Sequence, residues 1–344
     1  MNKYFITRES TNYNHAGSKA VNDTDYIMEK NGYERVNIYP ARSGNPIIRK
    51  IRNRSSLLNL RKIQPDSLVI VEHPLYINPI YIYKLKEMKA KKNLKLFFII
   101  HDFETERNLF PNDTNTREVE KCVLEICDGL IVHNAVMADC FTKKYNVDSK
   151  KLYLLNLFDY LCDIPKVDGL CKEGVAIAGN LNATKSGYIY KAIKACSNVH
   201  FELYGVNFEP DESQKNYTYY GSVNADELPA KLSGKYGLVW DGPEIDSCVG
   251  VTGEYMRINN PHKASLYVAS RLPLIVWSEA AIARFVNENK IGLTVSSLSE
   301  LDEKVNSVSE EEYAEFTRNL DKIADKARTG GFFKSVLEQI EASC

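Results

Sequence analysis

An α/β chain with two doubly wound domains, each a parallel sheet covered by helices on both faces, is what this sequence predicts. Short, nearly continuous apolar runs alternate with helix-like segments along the chain, as buried parallel strands and their crossovers do. The series occurs twice, on either side of a Pro- and Gly-containing stretch at 158–174 that suits a linker. The length, 344 residues, is ample for two cores.

In the first series, residues 3–7 (KYFIT) read as a strand and 12–19 (NYNHAGSK) as a loop. Residues 20–33 follow as a helix, with Val21, Tyr26, Ile27 and Met28 on its apolar positions and Asn31-Gly32 ending it. VNIY (36–39) is a second strand, and SLVIVEHP (67–74) is a third, stopped by Pro74. A helix over 78–93 leads to the buried strand LKLFFIIHD (94–102), whose apolar run ends abruptly in His101-Asp102. A helix over 116–129 and the strand LIVHN (130–134) complete the series.

The second series opens with GVAIAGN (174–180), a strand and tight turn, then a helix over 186–198. Strands at 199–205, 217–223, 236–242, 272–277 and 293–296 alternate with helices at 225–232, 262–271 and 280–292. The expected boundaries are 1–158 for an N-terminal domain and 174–330 for a C-terminal one, with 331–344 a helix packing back towards the first. Two facing domains of this kind place their strand C-terminal ends, and so their binding loops, across one cleft.

Composition sets limits. With 44% hydrophobic and 26% charged residues the chain is an ordinary globular protein, and a net charge of −1 argues against a general nucleic-acid binder. The balance hides a split: residues 1–158 hold 25 Lys plus Arg against 18 Asp plus Glu, and the remainder 19 against 27. Eight cysteines without a CxxC pair read as reduced thiols of a cytosolic protein, not as a disulfide framework or metal site. The start, MNKYFITRES, lacks a signal-peptide core, and the apolar runs LFFII and LPLIVW are far short of a membrane span. A cytoplasmic location is expected.

Three places carry candidate chemistry. In AIAGNLNATK (176–185), Gly179 lets backbone N–H groups approach a ligand and the following helix start favours an anion, although a plain strand-to-helix turn has the same look. In NNPHKASLY (259–267), Pro261 suits a first helical turn and Asn259-Asn260 can cap it. Lys263 then stands where the helix dipole disfavours a cation, which makes it a phosphate ligand or else a solvated lysine. Third, Glu72-His73 and His101-Asp102-Phe103-Glu104 follow buried strands, where a general base or a helix cap would sit. Tyr204-Gly205 and Trp240-Asp241-Gly242 hold the equivalent places in the second series. Asp23-Thr24-Asp25 matches a D-x-D metal signature but lies inside a helix, which argues against a metal role, and no nucleophile elbow, P-loop or H-E-x-x-H motif occurs.

Cations cluster. Arg35, Arg42, Arg49, Lys50, Arg52, Arg54, Arg61 and Lys62 occur with no acid between Glu34 and Asp66, interleaved with Ile47, Ile48, Ile51, Leu57 and Leu58. That stretch suits an anionic membrane surface. A second cluster over 84–95 reads equally well as a solvated helix face.

These segments together resemble the bacterial β-1,6-galactofuranosyltransferases of polysaccharide and O-antigen synthesis, glycosyltransferases built as two facing Rossmann-like domains (GT-B architecture). HAGSKA (15–20), IIHDFETER (99–107), LFDYL (157–161), AGNLNATK (178–185), LYGVNFE (203–209), YGLVWDG (236–242), NNPHKASLY (259–267), LPLIVW (272–277) and RTGGFF (328–333) carry the resemblance. More distantly the chain is similar to the glucosyltransferase that extends glycans on serine-rich-repeat adhesins.

The resemblance implies a UDP-sugar donor substrate, no metal and no further cofactor. It implies that Lys263 and Asn259-Asn260 hold the diphosphate, with Gly179, Asn180 and Tyr204 around the nucleotide, Gly17 approaching from the other domain and Asp241 facing the sugar or serving a turn. The adhesin enzyme has an Arg after its Gly-Asn turn; here Lys185 keeps at most the point charge, without bidentate geometry. Inverting transfer would need a base, with Asp102 first and Glu104 and His101 next, and the domains are expected to close on substrate. A galactofuranosyl transferase acting on a polysaccharide or lipid-linked acceptor at the inner membrane face is the leading expectation. A UDP-glucose enzyme acting on a protein-bound glycan and a non-catalytic nucleotide-sugar-binding partner subunit are the alternatives. Expected partners are the nucleotide sugar, the glycan acceptor and an anionic membrane, with room for a homo-oligomer and none for nucleic acid.

Overall fold

The computed structural model describes residues 1–8, 16–39, 45–76, 79–165 and 173–344. The chain divides into two compact units. The first comprises Met1–Asn12, Val21–Leu155 and Phe333–Cys344, and the second Tyr13–Ala20 and Asn156–Phe332.

The first unit is built around β1 (Lys3–Arg8), α1 (Ala16–Lys30), β2 (Glu34–Ile38), α2 (Pro46–Leu60), β3 (Leu68–His73) and α3 (Ile80–Lys92). It continues with β4 (Lys95–Ile100), α4 (Glu104–Arg107), α5 (Thr114–Ile126), β5 (Gly129–Val132), α6 (Ala135–Tyr145) and β6 (Leu152–Leu154). Its strands form one sheet in the order β2-β1-β3-β4-β5-β6, parallel throughout. Every residue of β3 is buried, including Glu72 and His73, because helices cover both faces and the run Leu-Val-Ile-Val has no solvent side to serve.

The second unit runs β7 (Val175–Asn180), α7 (Ala183–Ala195), β8 (Phe201–Val206), β9 (Tyr217–Gly221), α8 (Leu228–Lys231), β10 (Tyr236–Val239), α9 (Gly250–Tyr255) and α10 (His262–Ala269). Then come β11 (Leu274–Trp277), α11 (Ala281–Asn289), β12 (Gly292–Val295), α12 (Leu301–Ser307) and α13 (Glu310–Arg328); the last helix, α14 (Gly331–Ser343), belongs to the first unit from Phe333 onward. The sheet order β12-β11-β10-β7-β8-β9, again parallel, is the doubly wound order in which two three-strand halves diverge from a central pair.

The two-domain α/β expectation therefore holds, with parallel sheets in both halves. The helix expected from residue 20 begins earlier, at Ala16, and carries Asp23-Thr24-Asp25 in its middle. Within the second unit the strap after Asn156 is tied down: Tyr160 N donates to Ala327 O (3.0 Å), and Phe332 N donates to the buried Asp159 Oδ1 (3.0 Å). In the first unit the end of α14 is held where Glu341 accepts from Tyr33 Oη (2.9 Å) and Lys3 Nζ (3.0 Å).

Candidate functional site

Each sheet has one place where neighbouring strands leave in opposite directions, and in doubly wound sheets ligands bind beyond the strand C-termini there. In the second unit that pair is β7 and β10.

Gly179, next to last in β7, has φ +139° and lies next to Gly205 of β8 at φ +147°. A Cβ on Gly205 would lie 1.8 Å from the Gly179 carbonyl oxygen, so the two backbones meet only because Gly205 lacks one. The chain then turns: the exposed Asn180 accepts from Asn182 N through Oδ1 (3.1 Å), and Asn182 caps α7 by accepting from Thr184 N (3.0 Å). Lys185 is exposed in the first turn of α7.

The position of α10 follows from Tyr267. Its ring covers Gly237 of β10, where a Cβ would meet the ring at 2.2 Å, and its hydroxyl accepts from Ala178 N of β7 (2.9 Å). That residue fastens the helix to both central strands. Lys263 lies four positions earlier, on the same face of the helix. Its Nζ donates to Trp240 O (2.9 Å), lies 3.6 Å from Asp241 Oδ2 and 5.9 Å from the centre of the Tyr188 ring. Gly179 borders the same lysine, its would-be Cβ falling 3.7 Å from Lys263 Cε. Asp241 is itself held, Oδ1 accepting from Gly242 N (3.0 Å) and Thr252 Oγ1 (3.1 Å).

The expected asparagine cap of α10 is not made. Pro261 occupies the cap position with φ −63° and ψ 137°, no side chain caps the helix, and the asparagine pair is pushed outside. Asn260 is buried and donates to Asn156 O (2.6 Å), while Asn259 Oδ1, a buried oxygen, has no hydrogen-bond partner among the described residues. The hydroxyls of the fully buried Tyr188 and of Ser265 on α10 also lack partners among the described residues. Burial, and then the charge of Asp241, hold the Tyr188 phenol well above its ordinary range, so it stays a neutral donor. A cation, an uncapped helix start and a glycine-bared strand end thus share one place, an arrangement that suits a polyphosphate anion.

Tyr204 is buried at the end of β8. Its hydroxyl accepts from Ser233 N (2.9 Å) and donates to Lys231 O (3.3 Å), and its ring stacks on Tyr220 at 4.5 Å. Gly17 is the second residue of α1, and its surroundings lie outside the described residues, as do His15 and Arg42.

The first unit's diverging pair is β1 and β3, and its strand ends carry ionisable side chains. Glu72 is buried, accepts from Thr24 Oγ1 of α1 through Oε1 (2.8 Å) and from His101 Nε2 through Oε2. Beside it Asp25 accepts from Thr7 Oγ1 (3.1 Å) and Arg35 Nη1 (2.9 Å); burial and the Glu72 charge push its carboxyl up, against the pull of Arg35. Asp25 of the D-x-D pair is thereby committed to a buried group with Glu72 and Arg35.

Asp102 receives Arg107 Nη1 at 2.6 Å, and the same guanidinium nitrogen reaches Glu104 Oε1 at 3.1 Å. Glu104 also accepts from Tyr76 Oη (2.7 Å). Burial raises the Asp102 carboxyl to about 6, with Arg107 pulling the other way. Glu120 of α5 fixes the turn after Asp102, accepting from Glu104 N (2.5 Å), Thr105 N (2.9 Å) and the Thr105 hydroxyl. His133, fully enclosed, donates Nε2 to Ile100 O (2.8 Å), and burial lowers it to about 3, so it is neutral at working pH.

The structure thus brings Gly179, Asp241 and Lys263 together in one unit and His101, Asp102 and Glu104 onto one strand end in the other. Tyr188, Tyr267, Arg107 and Glu120 are partners that the sequence reading did not single out. Only Arg107 left a trace there, its i,i+3 spacing from Glu104 within IIHDFETER.

Compared with known proteins, the chain matches the N-terminal domain of the glucosyltransferase 3-like family over residues 3–157 and the C-terminal domain of the same family over 175–340. It is 38% identical over 223 residues to the β-1,6-galactofuranosyltransferase WbbI of Escherichia coli (strain K12), an alignment covering 63% of this chain and 64% of WbbI. The chain therefore spans slightly under two thirds of that relative's length. It is 27% identical over 264 residues to glucosyltransferase 3 of Streptococcus gordonii, covering 75% of this chain and 72% of that one. Among solved structures, sucrose-phosphate synthase from Thermosynechococcus elongatus superposes with a TM-score of 0.62 at 10% identity, covering all of both chains. At that identity the likeness speaks for the fold, two Rossmann-like domains of GT-B type.

Proposed function

The chain belongs to the glucosyltransferase 3-like family of glycosyltransferases, and from that premise we propose that it transfers galactofuranose from UDP-galactofuranose to a sugar hydroxyl of a polysaccharide or lipid-linked acceptor, with inversion and without a metal or other cofactor. The observation that carries this reading is the meeting of Lys263, Gly179 and Asp241 beside the uncapped start of α10. The 38% identity to a galactofuranosyltransferase supports the choice of sugar.

The second unit's part is to hold the diphosphate. As the bond from the anomeric carbon to the diphosphate oxygen breaks, charge grows on the leaving UDP. Lys263 and the N–H groups of α10 neutralise it, from positions set in advance by Tyr267 and Asp241. The first unit's part is the base. Asp102 takes the proton from the acceptor hydroxyl as that oxygen attacks the anomeric carbon, and a carboxyl near 6 is ionised at neutral pH while still a competent acceptor. Arg107 favours its ionised form; Glu104 shares the guanidinium, and His101 is turned to Glu72. Asn259 and Asn260 border the diphosphate site, with Asn180, Lys185, Tyr204 and Gly17 assigned to the nucleotide side. The acceptor places the enzyme at the inner face of a membrane as a peripheral protein; no helix among the described residues is long and apolar enough to cross one.

A second reading, glucosyl transfer from UDP-glucose to a protein-bound glycan, draws on the family's name and on the 27% identity to glucosyltransferase 3. Radiolabelled UDP-galactofuranose, UDP-galactopyranose and UDP-glucose, each incubated with simple glucosides, separate the readings. Transfer from the furanose donor alone is expected. Transfer from UDP-glucose alone would select the second reading, and tight UDP binding with no transfer would mark a non-catalytic partner subunit.

A further inference from the structure

Helix α2 is turned inside out. Three of its polar residues bond to the protein: Ser56 is fully buried, its Oγ accepting from Tyr39 N (2.9 Å) and donating to Arg52 O (2.9 Å). Asn59 Nδ2 donates to Asn37 O (3.0 Å), and Asn53 Oδ1 accepts from Tyr81 Oη (2.8 Å). These bonds set the helix's rotation. Leu60 is buried too, whereas four aliphatic residues point outward, with Ile47 69% exposed, Ile51 60%, Ile48 52% and Leu58 47%. At about 100° per residue, Ile47, Ile51 and Leu58 fall within roughly 40° of one another and Ile48 within about 100°, which makes a single stripe. A soluble surface helix shows the opposite arrangement.

The charges around the stripe have one sign. Arg52 and Arg54 are exposed on the same helix, and from Arg35 to Lys62 the sequence holds eight cations and no acid. A shallow groove beside the stripe is lined by Tyr39, Ile51, Arg52, Ser55, Leu58 and Asn59. An aliphatic stripe flanked by arginines, with no acid to repel a phosphate, is complementary to a bilayer of anionic phospholipid: the side chains enter the acyl boundary while the guanidinium groups meet the headgroups.

We propose that α2 docks the protein on an anionic phospholipid surface, inserting Ile47, Ile48, Ile51 and Leu58 and pairing Arg52 and Arg54 with headgroup phosphates. The inference rests on the membrane-facing part of the function proposed above and names the surface responsible. None of these residues belongs to either strand-end cluster.

Vesicle flotation of the full chain tests it, with phosphatidylcholine alone against phosphatidylcholine mixed with phosphatidylglycerol, each at low and high salt. The wild type is expected on the anionic vesicles only, less so at high salt. The triple variant Ile47→Ser/Ile51→Ser/Leu58→Ser should bind at least tenfold more weakly at unchanged thermal stability, and Arg52→Ala/Arg54→Ala about 30-fold more weakly at low salt, from roughly one tenfold step per 1.4 kcal/mol and about 1 kcal/mol per cation. Wild-type failure to bind anionic vesicles would overturn the proposal, and so would serine variants that bind like wild type. A lipid-free dimer that the serine variants convert to monomer would overturn it too, assigning the stripe to a second copy of the chain. Transfer to a soluble glucoside, measured in parallel, keeps the outcomes apart: lost vesicle binding with intact transfer removes docking alone, and the reverse removes the transferase reading alone.

Discussion

The two units each have a six-stranded parallel sheet with one diverging strand pair, and their strand ends differ in chemistry. In the second unit Gly179 lies at the end of β7 and a lysine arrives from a helix, so the site offers N–H groups and one cation held by Trp240 O and Asp241. In the first unit the corresponding strand ends carry Glu72, His101 and Asp102, backed by Arg35 and Arg107, so the site offers groups that can take or hold a proton. The same parallel-sheet architecture thus produces a candidate anion holder in one place and a candidate base in the other. Side chains at the strand ends decide which. Lysine and glycine need no titration to bind a phosphate, whereas a carboxylate becomes useful only when its environment raises it towards neutral pH.

The comparison can be broken most sharply at Asp102. Asp102→Asn is expected to lower kcat by about 10²–10⁴-fold while UDP affinity, read by calorimetry, stays put. Lys263→Ala should cost about 10²–10³-fold in turnover and weaken UDP binding as well, because the charge it balances is present in free UDP and grows in the transition state. In the second unit, Gly205→Ala places a Cβ against the Gly179 carbonyl in a left-handed backbone; the expected loss is about 1–3 kcal/mol or more, read as a lowered thermal midpoint.

A pH profile sharpens the comparison further. Asp102 must be ionised to act, so kcat/KM should rise with pH and reach half its plateau near 6. Arg107 favours the ionised form, and Arg107→Ala therefore should move that limb upward by about a unit or more, costing more activity at pH 6 than at pH 8. An unmoved limb would detach Asp102 from the base role. The smallest effect is expected for Tyr267→Phe, which removes one hydrogen bond to Ala178 N and should cost about 1 kcal/mol of stability, seen in urea denaturation.

The fold was legible because the buried strands announce themselves. LVIVEH and LFFII have no polar alternation, and only a sheet covered on both faces accommodates them. Helix α2 escaped for the opposite reason: polar Ser56, Asn53 and Asn59 face inward and isoleucines outward, so the usual amphipathic pattern is reversed. Lys263 could be picked out by its unfavourable place at a helix start, an argument internal to the sequence. The asparagine cap could not, since Pro261 competes for the same position and Asn260 has a better use at Asn156 O. Tyr267 over Gly237 and Glu120 under the turn after Asp102 are long-range partnerships with no local signature.

The division of labour is tested most directly by measuring UDP binding and sugar transfer on the same preparations of wild type, Asp102→Asn and Lys263→Ala. Predicted is a one-sided split: Asp102→Asn binds UDP like wild type and scarcely turns over, whereas Lys263→Ala loses turnover and UDP affinity together. Unchanged transfer by Asp102→Asn, or wild-type UDP affinity in Lys263→Ala, would contradict it.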